Sequence, residues 1–205
     1  MRMMTRMTTG MLPRFLSALC FFVLTAGAVR CAAQLQQVHP FRDGTSGVTG
    51  YRSEVLALVM IQENEFLRLA EAFPAEKYTW RPAPGVKSVA ECFLHVSAAN
   101  YNMYKLVGAP FPAGLDVAGM EESTTDKAKV IATLKLSYAH AKQAITDMPD
   151  ANLEKSMPWL GGTITQRGML LFIIPHIAEH LGQAIAYARM NGIVPPWSAD
   201  PPNKN

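Results

Sequence analysis

The string "IIPHIAEHLGQAIAYARMNG" near the end of the chain places His176 and His180 four residues apart. On a helix that spacing puts both imidazoles on one face, with Cβ atoms about 5–6 Å apart. Phe172, Ile173, Ile177 and Ile185 flank them, so the pair is expected to face a protein interior. Two imidazoles buried side by side without partners are costly, and a shared cation would give each a nitrogen ligand bond. His95, in "SVAECFLHVSAANYNMY", can join them, since Phe93, Val96, Ala99 and Met103 mark core positions around it. If the two segments are neighbours, three neutral histidines meet on one divalent ion and leave coordination positions open. That is the pattern of a catalytic rather than a closed structural site. The competing reading is a set of hydrogen-bonded core histidines. Three imidazoles do not choose among Zn, Ni, Fe and Mn.

An ion so held lowers the pKa of water from about 15.7 to about 7, and it can deprotonate a thiol whose free pKa is about 8.5. Metal-assisted hydrolysis or group transfer on a small molecule is the expected chemistry. Glu91, one turn before His95, and Gln183, one turn after His180, are candidates to orient a ligand or a water. Cys92 is the one thiol near this set; as a fourth ligand it would close the site, and it is expected instead to be a small core residue. Two other classes stay open: a carrier of metal or small ligand without turnover, and a dimeric scaffold whose metal staples two helices. Tyr101, Tyr104, Trp159 and Trp197 either line a pocket mouth or pack at bundle ends. His39, in a polar leader, and His140, on a polar helix face, are expected in solvent. The order His176, Glu179, His180 also spells H-x-x-E-H, an inverted zinc-peptidase signature. Such a site needs a downstream carboxylate ligand, and only Asp200, in a proline-rich tail, follows His180; the peptidase reading fails.

Four helical segments can position these residues, and no convincing strand is read. Val55, Leu58, Val59, Gln62, Phe66, Leu69 and Phe73 step in threes and fours through a first helix over 51–73, closed by Pro74. Ser88 with Glu91 has the form of a capping box that opens a second, to about Val107. A loop with two prolines and two glycines follows and is expected to cross the end of the bundle. The third helix spans 126–148, with Val130, Ile131, Leu134, Tyr138, Ala141, Ile145 and Met148 on its buried side. Thr163 with Gln166 predicts a second capping box and a helix to Asn191, stopped by Gly192. Pro175 lies inside it and should loosen the turn ahead of His176. An all-α four-helix bundle over 51–197, with a tail over 198–205, is the predicted architecture.

Residues 1–33 read as a secretory signal peptide. Arg2, Arg6 and Arg14 precede an apolar run from Phe15 to Val29, shorter than the roughly 20 residues a membrane span needs. Cleavage after Ala28 or after Ala33 gives an exported protein, periplasmic or extracellular; an uncleaved anchor would tie it to a membrane. Residues 34–50 form a polar leader. The formal charge of +3 belongs to the signal segment: four of the 19 basic residues and none of the 16 acids precede Gln34, so the rest carries 15 against 16, net −1. No basic stripe remains for nucleic acid. With Cys20 in the signal segment and Cys31 between its two cleavage points, no disulfide framework is available.

"YTWRPAPGVKSVAECFLHV" and "HIAEHLGQAIAYARMNGIVPP" together resemble the second- and fourth-helix signatures of the DinB-like superfamily of four-helix metalloproteins. The resemblance spans about Tyr51 to Trp197 and implies metal ligation by His95, His176 and His180. It also implies small-molecule chemistry, since the superfamily includes bacterial thiol-dependent S-transferases; a homodimer is the expectation of the scaffold reading alone.

Overall fold

The computed structural model describes residues 47–199. His39, the signal-peptide reading and most of the leader lie outside them. Four long helices account for most of the chain: α1 Tyr51–Ala72, α2 Val89–Leu106, α3 Lys127–Asp147 and α4 Gln166–Met190. The predicted helices are all present, each ending within a residue or so of its periodicity, except at the start of α4. There the sequence reading needs correction. Ser156–Trp159 (β1) and Gly162–Thr165 (β2) form an antiparallel hairpin, so Thr163 is in a strand and the N-cap is Thr165, whose hydroxyl accepts from the Gly168 N–H at 3.0 Å. The hairpin turns on Leu160 and Gly161, both left-handed, at φ +46° and +80°. That is the handedness a two-residue hairpin turn requires, and it strains a leucine.

Each helix of the bundle has two main neighbours. α3 packs on α1 and α2, and α4 likewise packs on α1 and α2, so the order around the bundle is α1, α3, α2, α4. α1 and α2 sit diagonally, and their apolar rows meet through the core. Phe93 lies edge-on to Phe66 at 6.2 Å and to Phe73 at 6.0 Å, and all three are fully buried. Such aromatic pairs add to the burial of large apolar surfaces that holds the bundle together. Leu58, expected inside, is partly exposed. α4 is long and apolar enough to suit a membrane span by length and composition, and in this fold its row of Met169, Leu170, Ile173, Ile177 and Ala184 is buried in the bundle.

The start of α2 is held unusually well. Ser88 and Glu91 complete the capping box, with Ser88 Oγ accepting from Glu91 N–H at 3.2 Å and Glu91 Oε2 accepting from Ser88 N–H at 2.7 Å. The next free N–H groups, of Val89 and Ala90, donate to the carbonyls of Trp80 and Tyr78. First-turn donors that a helix leaves unpaired are thereby satisfied by the preceding loop. The loop after α2 does more than cross the bundle end. It returns along α2, burying Val117 and Met120, and its 3-10 turn Met120–Glu122 packs on that helix.

Candidate metal centre

α2 contributes His95 and α4 contributes His176 and His180, and because these helices are neighbours the three rings converge. Ring centroids are 4.4 Å apart for His95 and His180, 4.8 Å for His176 and His180, and 5.8 Å for His95 and His176. One nitrogen from each lies within 4.8 Å of the other two, close enough for a single ion to be held between them. All three residues are half-buried.

Partners on the outer nitrogens decide which nitrogen faces inward. His95 Nδ1 is 2.5 Å from Glu121 Oε1, and the carboxylate can only accept, so Nδ1 is the donor and Nε2 is the nitrogen left without a protein partner. His180 Nδ1 is 3.0 Å from Gln183 Oε1. Gln183 Nε2 donates to Tyr187 Oη at 2.8 Å, which fixes the amide oxygen as acceptor and again leaves Nε2 of the histidine free. The two chains end on one residue. Lys87 Nζ donates to Glu121 Oε2, and the Lys87 carbonyl accepts from Tyr187 Oη at 3.1 Å. A loop residue thus ties together the outer partners of one histidine on α2 and one on α4. Carboxylate or amide acceptors behind an imidazole orient the ring and raise its basicity as a ligand.

Electrostatics keep the donors available. Burial, then repulsion from the other two imidazoles, lowers the pKa of His176 from its ordinary value. Burial does the same for His180, partly opposed by the bond to Gln183. Both are held toward the neutral, ligating form. Burial alone would raise the Glu121 carboxyl, but the bonds from Lys87 and His95 outweigh it and leave it below the usual carboxylate value. The donor set, three imidazoles within reach of one ion, fits a borderline divalent cation.

The remaining candidates fall in different places. Gln183 sits behind His180. Glu91 is turned away from the rings: its carboxylate is shared between Ser88 N–H and Arg81, at 2.7 and 2.8 Å, and these bonds hold its pKa low. Cys92 is buried, with Sγ 3.6 Å from Gln183 Oε1, and burial pushes its thiol up to about 12. It lies outside the histidine group, and among the described residues no other Cys, Asp or Glu joins that group. Tyr104 and Tyr101 are buried in the core, and Trp159 packs on Phe172 at 5.3 Å. Trp80 lies edge-on to Tyr187 at 5.5 Å and so borders the site.

His140 is a correction. Expected in solvent, it is half-buried against Tyr101 at 4.9 Å, with Nε2 enclosed, because that side of α3 is covered by the end of α2. It lines a cavity of about 350 Å³ with Val107, Pro110 and Asp147, apart from the three histidines. A smaller groove of about 230 Å³, lined by Arg81, Gly85, Lys87, Glu91, Glu121 and Glu122, adjoins the metal centre through Lys87 and Glu121. Sequence reasoning missed Glu121. It stands 26 residues from His95 in a loop, and no local pattern marks it.

The sequence profile of the DinB superfamily matches residues 61–184, which hold all three histidines. No curated protein sequence matches the chain significantly. Among solved structures it is similar to a DinB-like protein from Bacillus cereus, at 16% identity and TM-score 0.57 over 66% of this chain and 89% of that one. A DinB-like protein from Bacillus subtilis gives 18% and 0.57 over 69% and 94%. A conserved protein from Enterococcus faecalis gives 14% and 0.55 over 70% and 98%. At these identities the likeness is one of fold.

Proposed function

The chain belongs to the DinB superfamily, and from that premise we propose that it is an exported metalloenzyme that hydrolyses, or transfers a group to or from, a small molecule. The observation that carries this reading is the pair of outer-nitrogen partners: Glu121 and Gln183 engage the Nδ1 atoms of His95 and His180, which leaves each Nε2 for an ion held among three converging rings. When bound, a divalent ion supplies Lewis-acid chemistry, polarising a carbonyl or phosphoryl oxygen and making a nucleophile of water or a thiol near neutral pH. His95, His176 and His180 would hold it. Glu121 and Gln183 fix ring orientation, Lys87 joins them, and the groove beside Lys87 and Glu121 offers an approach for a small polar substrate. With three protein ligands and Cys92 engaged elsewhere, positions are left for substrate. Export rests on the basic and apolar N-terminal segment.

The test begins with metal content. Purified wild-type protein should carry about one divalent ion per chain and His176→Ala almost none, measured by elemental analysis. Glu121→Ala should bind about 10–100-fold more weakly in a chelator competition. Ester, amide and thiol-adduct panels then identify the reaction, with activity lost on chelation and in His176→Ala. A wild-type protein that takes up no metal ends this reading; metal held with every panel inert turns it to a carrier or a helix staple.

A further inference from the structure

Of the three histidines, His95 and His180 are each steadied by a side-chain partner, whereas no hydrogen bond to the His176 ring occurs among the described residues. His176 also follows Pro175. A proline in a helix removes one N–H and leaves the carbonyl four residues earlier, here Leu171, without its usual donor, so the turn is locally weak. Something else must define where this imidazole points.

Gln62 meets that need. It lies on the buried row of α1, only 7% exposed, and its Nε2 donates to the Ile174 carbonyl at 2.9 Å across the α1–α4 contact. That carbonyl belongs to the peptide bond joining Ile174 to Pro175, one residue from His176. The amide orientation is dictated by chemistry, because a flipped amide would set oxygen against oxygen. Its Oε1 is enclosed with no hydrogen-bond partner among the described residues. A buried amide satisfied at one end only is a poor choice for packing, and an apolar side chain of the same length would fill the place without an orphan acceptor.

We propose that Gln62 is a positioning residue for the metal centre: by clamping the peptide plane ahead of Pro175 from α1, it sets the place of the His176 imidazole. This rests on the reading of the three histidines as metal ligands, and the clamp itself can be tested without metal. Gln62→Met matches the side chain in length and removes both the donor and the unpartnered oxygen. Three measurements on the full chain decide the matter: Zn²⁺ affinity by chelator competition, thermal unfolding of chelator-treated protein, and amide hydrogen exchange across residues 171–180 in that protein.

The expected result for Gln62→Met is Zn²⁺ affinity about tenfold weaker, an unfolding temperature equal to or above wild type, and faster exchange in 171–180. Gln62→Glu, which sets an acceptor against the carbonyl, should weaken affinity further and lower the unfolding temperature. Unchanged exchange across 171–180 in Gln62→Met overturns the clamp, whatever the metal does. Faster exchange with wild-type affinity shows a clamp that does not position a ligand, and overturns the proposal too. If wild type and His176→Ala alike bind no Zn²⁺, the metal reading fails and takes the positioning role with it, and the exchange data alone judge the clamp.

Discussion

His176 and His180 occupy a half-buried cluster in which burial lowers the tendency of both to take up a proton, His180 and His95 lower that of His176 further, and His95 lowers that of His180. That has a consequence for the protein stripped of metal. Below the ordinary histidine pKa of about 6.5, an unfolded chain binds protons that these folded imidazoles resist, so the unfolded state gains as pH falls and stability returns as pH rises. Glu121 acts in the same direction at lower pH, because its carboxylate, held low against burial by Lys87 and His95, contributes only while ionised. The unfolding temperature of chelator-treated protein should therefore drop between pH 7.5 and 5.5, and drop less in His176→Ala; equal drops in the two would assign the effect to other groups. At this scale the i, i+4 histidine pair and the candidate Gln183 were readable, since helix geometry makes neighbours of residues three and four apart. Glu91 and Glu121 show the limit. Both are acids near His95, but the capping box and Arg81 occupy Glu91, while Glu121 arrives from a distant loop.

Among the elements, the four helices follow from patterns that act locally: apolar steps of three and four, Ser88 with Glu91 at one start, Asp126 and Thr165 as caps at two others. The hairpin between α3 and α4 escaped because its two strands are four residues each, too short for a clear alternation. Its turn also lacks the usual Asn-Gly or Asp-Gly signal, with Leu160 at the first left-handed position. Leu160 is 83% exposed, so nothing in its packing repays the strain. Leu160→Asn should keep the turn and stabilise the fold by roughly 0.5–1 kcal/mol, a fraction of the left-handed cost for a residue with a full side chain. Denaturant unfolding measures it, and a destabilised variant would indicate that the leucine side chain has contacts in solution that its exposure does not suggest.

For the whole molecule, the ligands come from α2 and α4, which are joined only through the long path around α3, so an ion bound to all three resists separation of two distant parts of the chain. Zn²⁺ at about 100-fold over its dissociation constant should add about 2.7 kcal/mol to the folding stability. In calorimetry the unfolding temperature should rise with Zn²⁺ concentration in wild type and stay flat in His176→Ala; a flat wild-type response would mean that the folded state binds no ion in preference to the unfolded one, and would end the metal reading. The sequence by itself determined the helices, their buried faces and the paired histidines on one face of α4, because periodicity and capping depend on residues within a turn or two of each other. Only the tertiary structure decided that His95 meets that pair, that Glu121 returns along α2 to reach it, and that Gln62 contacts the peptide bond ahead of Pro175 from 112 residues away. Those contacts depend on how four rods share a core. Packing settles that arrangement through the sum of many small burials, and no single stretch of sequence encodes it.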